Sequence, residues 1–124
     1  MSSGALGKVY TDGEIVIRQG DVGNCMYVVQ SGQVEILVGE GDQQVSIAVR
    51  GEGDFIGEMA VLDKEVRSAT VRAKGEARLL TVDKRNLLSR IHEDPSFAYR
   101  LIQTMSNRVR ELSAEVGQLK SARV

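Results

Sequence analysis

The stretch Gly51–Val71, GEGDFIGEMAVLDKEVRSATV, decides how the rest of the chain is read, because it sets one carboxylate and one guanidinium in a single glycine-rich window. Gly57 is followed directly by Glu58, and Arg67 by Ser68 and Ala69. Between them Met59 to Leu62, with the small Ala60, can form one helical turn whose unpaired N–H groups and dipole attract an anion. Gly57 permits close approach of a ligand to the backbone. Arg67 offers a planar fork that matches two phosphate oxygens, and Ser68 adds a hydroxyl. Glu58 would repel a phosphate, but as an acceptor it suits a sugar hydroxyl. The ligand to which these residues point is a sugar bearing a phosphate. Spacing alone does not separate this reading from an ordinary surface ion pair, which is the commoner fate of a Glu and an Arg in such a loop.

Outward from this window, short apolar runs alternate with glycine punctuation from Glu14 to Val82. The pattern predicts strands at Glu14–Arg18, Cys25–Gln30, Gln33–Val38, Val45–Val49, Ala69–Ala73 and Arg78–Val82. Turns are expected at Gly20-Asp21, Ser31-Gly32, Gly39 to Asp42 and Gly51 to Asp54. Even spacing of this kind suits a mainly β sandwich or jelly roll. At Asp83 the period changes. Asp83 reads as the N-cap of a helix running to about Ile91, with Val82 and Leu87 as its hydrophobic staple. Asp94-Pro95 repeats the start signal, with proline in the first turn, where its missing N–H costs nothing. The helix after it carries Phe97, Leu101, Met105, Val109, Leu112, Val116 and Leu119, an apolar stripe that becomes heptad-like from Met105. Phe97 to Leu101 is expected to fold onto its own domain, and Met105 to Leu119 to meet a second copy of the chain. The organisation expected is a lead-in over 1–9, a β-roll over 10–82 with the cassette at 51–71, and C-terminal helices over 83–124.

Composition excludes several classes of function. The 124 residues suffice for one domain with a buried core, leaving no room for a DNA-reading or catalytic partner domain. Sixteen basic and seventeen acidic side chains give a net charge of −1, so no broad field attracts nucleic acid and any anion site must be local. Arg100, Arg108, Arg110, Lys120 and Arg123 interleave with Glu111 and Glu115 and read as a solvated helix face. No apolar run approaches the length needed to span a bilayer, and the N-terminus lacks the apolar core of a secretion signal. A cytoplasmic location is expected. Cys25 is the only cysteine and His92 the only histidine, far apart in different kinds of segment, so no nucleophile and base pair is visible and no enzyme is expected. Gly51-x-Gly53 lacks the setting of a dinucleotide fingerprint.

Taken together, the Gly57-Glu58 pair, the turn after it and Arg67-Ser68-Ala69 resemble the phosphate-binding cassette of the cyclic nucleotide-binding domain. The likeness extends to Asp12-Gly13-Glu14, Arg18-Gln19-Gly20-Asp21, Met26-Tyr27-Val28-Val29 and Ser31-Gly32. It covers about Tyr10 to Val116 and is strongest to the catabolite-activator branch of the family; that branch's helix-turn-helix domain is not expected within these 124 residues. The resemblance implies a jelly-roll fold and cAMP or cGMP as ligand. Its expected contacts are Gly57, Glu58, Met59, Ala60, Arg67, Ser68 and Ala69. Arg108 and Ser113 on the long helix are implied as further contacts. One negative charge on a cyclic phosphate needs no metal beside Arg67 and backbone N–H groups. The output expected is a conformational change hinging between Ile91 and Pro95, read by a dimer mate or an effector protein. A dimeric scaffold that has lost its ligand, or a regulatory piece of a larger kinase, channel or transcription factor, stays open as an alternative. Two departures stand out. Val66 sits before Arg67 where many members have proline, and only nine residues precede Tyr10, so one barrel edge is expected to be bare or covered by a partner.

Overall fold

The protein is represented by a computed structural model that describes residues 7–58, 60 and 65–122, with backbone only at 65 and 118–122. β-branched and aromatic residues alternating with polar ones favour a half-buried pleated surface, and two such runs form the spine of the fold. They are β4 (Cys25–Val38) and β8 (Thr70–Asp83), each of 14 residues. They pair antiparallel from Cys25 opposite Asp83 to Leu37 opposite Thr70. On the β8 side lie β1 (Lys8–Tyr10) and β2 (Ile15–Ile17), both antiparallel to it. On the β4 side lie β5 (Val45–Arg50) and the two-residue β6 (Phe55–Ile56). A separate ribbon joins β3 (Val22–Gly23) to β7 (Glu65–Val66). The faces turned inward supply the core of Tyr10, Ile17, Val29, Val34, Ile56, Val71, Ala73, Ala77 and Leu79.

Three sequence expectations are corrected here. Ser31-Gly32 is not a turn between two strands, and the expected strands Ala69–Ala73 and Arg78–Val82 are, from Thr70 onward, parts of one strand. Gly32 and Gly75 adopt φ of +79° and +74° inside the ladder, and the register shifts at Val29/Ser31 and Ser31/Gln33. Glycine can take a positive φ at a bulge without ending the pairing. Third, Lys8 and Val9 belong to β1, opposite Leu79 and Arg78, so the strands begin before Tyr10.

A Cβ on Gly32 would overlap the Glu76 carbonyl oxygen of the facing strand. Gly32→Ala therefore adds a steric clash to a conformation that costs an L-residue about 1–2 kcal/mol. Its melting midpoint should fall by several degrees in a thermal denaturation series, whereas Gly41→Ala, with nothing within 4 Å of its Cβ, should show only the backbone cost.

The described residues divide after Leu87 into two compact units. At the chain's change of period, the Asn86 N–H donates to Asp83 Oδ1 at 2.8 Å. The cap read from the sequence is thus in place, and it opens the short helix Lys84–Glu93. The Ser96 N–H likewise donates to Asp94 Oδ1 at 3.1 Å, and Pro95–Ala122 forms the long helix. Its 28 residues span about 42 Å at about 1.5 Å per residue. Phe97 and Leu101 are buried, whereas Val109, Leu112 and Val116 are 62%, 61% and 49% exposed. The side chain of Leu119 lies outside the described residues.

Candidate functional site

Arg67 is held by its backbone before its side chain comes into play. Its N–H donates to the Asp21 carbonyl at 2.7 Å, and its own carbonyl accepts from the Gly20 N–H at 2.9 Å. These bonds continue the β3–β7 ribbon and lace the end of the cassette to the turn after β2. From that anchor the guanidinium reaches inward. Nη2 donates to the Cys25 carbonyl at 2.7 Å, with Cys25 Sγ at 3.7 Å, and Nη1 donates to the Gly57 carbonyl at 3.2 Å. The second bond sets the guanidinium against the peptide that joins Gly57 to Glu58, so the loop returns from position 67 to its own start.

Beside the guanidinium is a hollow of about 230 Å³, lined by Ile17, Arg18, Asp21, Gly23, Cys25, Tyr27 and neighbouring residues as well as by Arg67. Among the described residues, the oxygen acceptors of the Arg67 side chain are two neutral carbonyls, with the Cys25 sulfur as a longer third partner. They orient the fork without cancelling its charge, and donors remain out of the five a guanidinium carries. Burial pushes the Tyr27 hydroxyl up to about 12, helped by hydrogen bonding to Cys25 and opposed by Arg67. It therefore stays a neutral phenol that can donate at physiological pH.

The other sequence-predicted residues fall as follows. Gly57 has φ of +71°, which favours glycine, and a Cβ there would sit 2.5 Å from Arg67 Nη1. The space over Gly57 is thus taken by the arginine in this structure. Glu58 is 7% exposed, one of two polar residues buried among those described, and it has an interaction partner. Helical backbone begins at Glu58, and the Ala60 N–H donates to the Gly57 carbonyl at 3.2 Å. Ala60 is buried, Ser68 exposed and Ala69 half-buried. Met59 and the remainder of the expected helical turn lie outside the described residues. Arg108 and Ser113 belong to the second unit, the first half-buried and the second exposed. Sequence reasoning missed Gly23, Cys25 and Tyr27 as neighbours of Arg67. Their positions, about forty residues upstream, carry no local signal of that proximity. Among the described residues no group of three or more His, Cys, Asp or Glu side chains could hold a metal ion. Among the described residues no helix is long and apolar enough to cross a membrane.

An antiparallel β-roll with an arginine-lined hollow, followed by two helices, defines a small-ligand-binding domain. The sequence matches the profile of the cyclic nucleotide-binding domain over residues 7–94, and the chain belongs to that family. It is 33% identical over 113 residues to the cyclic AMP receptor protein of Thermus thermophilus, a match covering 90% of this chain and 52% of that protein. It is 42% identical over 76 residues to a cAMP-dependent protein kinase regulatory subunit of Schizosaccharomyces pombe, covering 61% of this chain and 18% of the subunit. In three dimensions it is similar to the catabolite activator protein of Thermus thermophilus, with a TM-score of 0.81 at 31% identity, covering 94% of this chain and 56% of that one. The jelly-roll expectation is met. The chain spans about half the length of the receptor and under a fifth of the kinase subunit.

Proposed function

We propose that this chain is a cAMP or cGMP receptor module in which Arg67 holds the cyclic phosphate and Glu58 accepts from the ribose 2′-OH. The observation that carries this reading is the guanidinium beside a hollow, with the Cys25 and Gly57 carbonyls and the Cys25 sulfur as its side-chain partners among the described residues. A cation left with uncancelled charge at the wall of a cavity suits a monoanion. Ser68, Ala69 and the Gly57–Ala60 segment, including Met59, complete the phosphate and sugar contacts. No metal or catalytic group takes part. Side-by-side calorimetric titration with cAMP and cGMP tests the proposal, and saturable binding of either is the expected result. A 2′-deoxy analogue should bind more weakly to the wild-type chain and no more weakly than its parent to Glu58→Ala.

The relatives named as a receptor and as a kinase regulatory subunit support a regulatory rather than a catalytic role. Ligand binding repositions the long helix through a hinge between Ile91 and Pro95, and a dimer mate or an effector protein reads the change. Taking such a switch from 1:99 to 99:1 requires about 5.5 kcal/mol of preference for one pose. Amide exchange over residues 91–119 should change when ligand is added. The exposed heptad positions Val109, Leu112 and Val116 favour homodimerisation through Met105–Leu119, because an apolar seam of this period buries itself best against an identical helix. Leu112→Asp should move the chain from dimer to monomer in sedimentation velocity. A wild-type chain that sediments as a monomer at high micromolar concentration would refute the seam.

A further inference from the structure

We propose that Gly23 is a positioning residue for the Arg67 guanidinium, kept free of a side chain so that the fork can lie flat over β3. The inference rests on the reading of Arg67 as the phosphate ligand and extends the site to a residue outside the cassette. Gly23 is buried, and its φ is not among the positive glycine values, so its backbone conformation is open to any L-residue. Turn geometry therefore does not explain the glycine. Space does. A Cβ at Gly23 would overlap Arg67 Nε and Cζ and would stand 2.7 Å from Nη2, so all three nearest atoms belong to one guanidinium.

Which group would yield is decided by the bonds around it. The backbone at this point is clamped, since Gly23 pairs with Glu65, the Arg67 N–H is on the Asp21 carbonyl and the Arg67 carbonyl is on the Gly20 N–H. The arginine side chain is the movable part. Displacing it by the width of a methyl group would take Nη2 off the Cys25 carbonyl and Nη1 off the Gly57 carbonyl, because hydrogen bonds weaken steeply outside a narrow range of distance and angle. Gly57 touches the same guanidinium, but its positive φ calls for glycine in any case. Gly23 is consequently the position at which room for the arginine can be separated from backbone strain.

The test is a double-mutant cycle of the wild-type chain, Gly23→Ala, Arg67→Ala and the double variant, read by cAMP and cGMP titration and by the 15N–1H resonance of Arg67 Nε without ligand. Gly23→Ala should shift the Nε resonance and weaken nucleotide binding by about 10- to 100-fold. In the Arg67→Ala background the same change should cause no further loss, because the side chain it displaces is gone. Equal losses in both backgrounds, or an unmoved Nε resonance, would overturn the proposal. If Gly23→Ala fails to fold, the double variant must fold, since it removes the overlap; failure of both would overturn it too. A wild-type chain that binds neither nucleotide would end the receptor reading alone, and the ligand-free Nε resonance would still decide the role of Gly23.

Discussion

Arg67→Ala is expected to weaken cyclic nucleotide binding by about 30-fold to several thousand-fold, equivalent to about 2–5 kcal/mol, while leaving the fold intact. The size follows from stranding an anion. With the guanidinium removed, the phosphate would face the Cys25 and Gly57 carbonyl oxygens that Arg67 now engages, and both present partial negative charge. Arg18 also lines the hollow but is exposed, so it offers only screened attraction. Arg67→Lys should recover part of the loss, since a point charge cannot bridge two acceptors and two phosphate oxygens as a planar fork does. Calorimetry on the three proteins measures this directly, and unaltered affinity in Arg67→Ala would refute the assignment. The fold should tolerate the change because the backbone bonds of Arg67 to Gly20 and Asp21 do not involve the side chain.

Phe55→Ala is expected to produce the largest loss of stability, about 3–5 kcal/mol, or about 10–20 °C in melting midpoint. Phe55 is among the largest fully enclosed side chains, and its neighbour Ile56 is equally enclosed. Their strand is only two residues long and meets β4 at Val28 and Tyr27. So short a ladder has few hydrogen bonds of its own. The Val29 N–H on the Asp54 carbonyl and the Gly53 N–H on the Val29 carbonyl extend it on one side. Packing of Phe55 and Ile56 therefore anchors the cassette where it leaves the sheet, one residue before Gly57. Val45→Ala, at an exposed position on β5, should change the midpoint by little. A thermal series comparing the two variants checks the contrast. A drop for Phe55→Ala no larger than that for Val45→Ala would contradict the anchoring role. If the variant remains folded, its ligand affinity should fall as well, because Gly57 and Glu58 follow directly.

How much of this was legible beforehand depends on the range of the interactions concerned. Asp83 and Asp94 were readable as caps because a cap is a contact between near neighbours, and both bonds are present. The apolar stripe of the long helix was readable from its period, and along it Phe97 and Leu101 are buried whereas Val109 and Leu112 are exposed. Strand ends were less legible. Ser31-Gly32 has the composition of a turn, but the partner strand carries the chain through as a bulge. β3, β6 and β7, each of two residues, are too short to leave a periodic pattern. They exist because a neighbouring strand pairs with them.

The sequence by itself determined the class of this protein through the resemblance of one local window to a known cassette. A Gly-Glu pair, an expected helical turn and an Arg-Ser-Ala triplet in one window, between glycine-punctuated strands and two capped helices, are signals carried by adjacent residues and need no distant partner. Only the tertiary structure decided where the guanidinium rests. Its acceptor on Cys25 lies 42 residues away, and Gly23, where a Cβ would overlap the guanidinium, belongs to another strand. Contacts of that range are set by strand pairing and close packing, which the order of residues along a chain does not display.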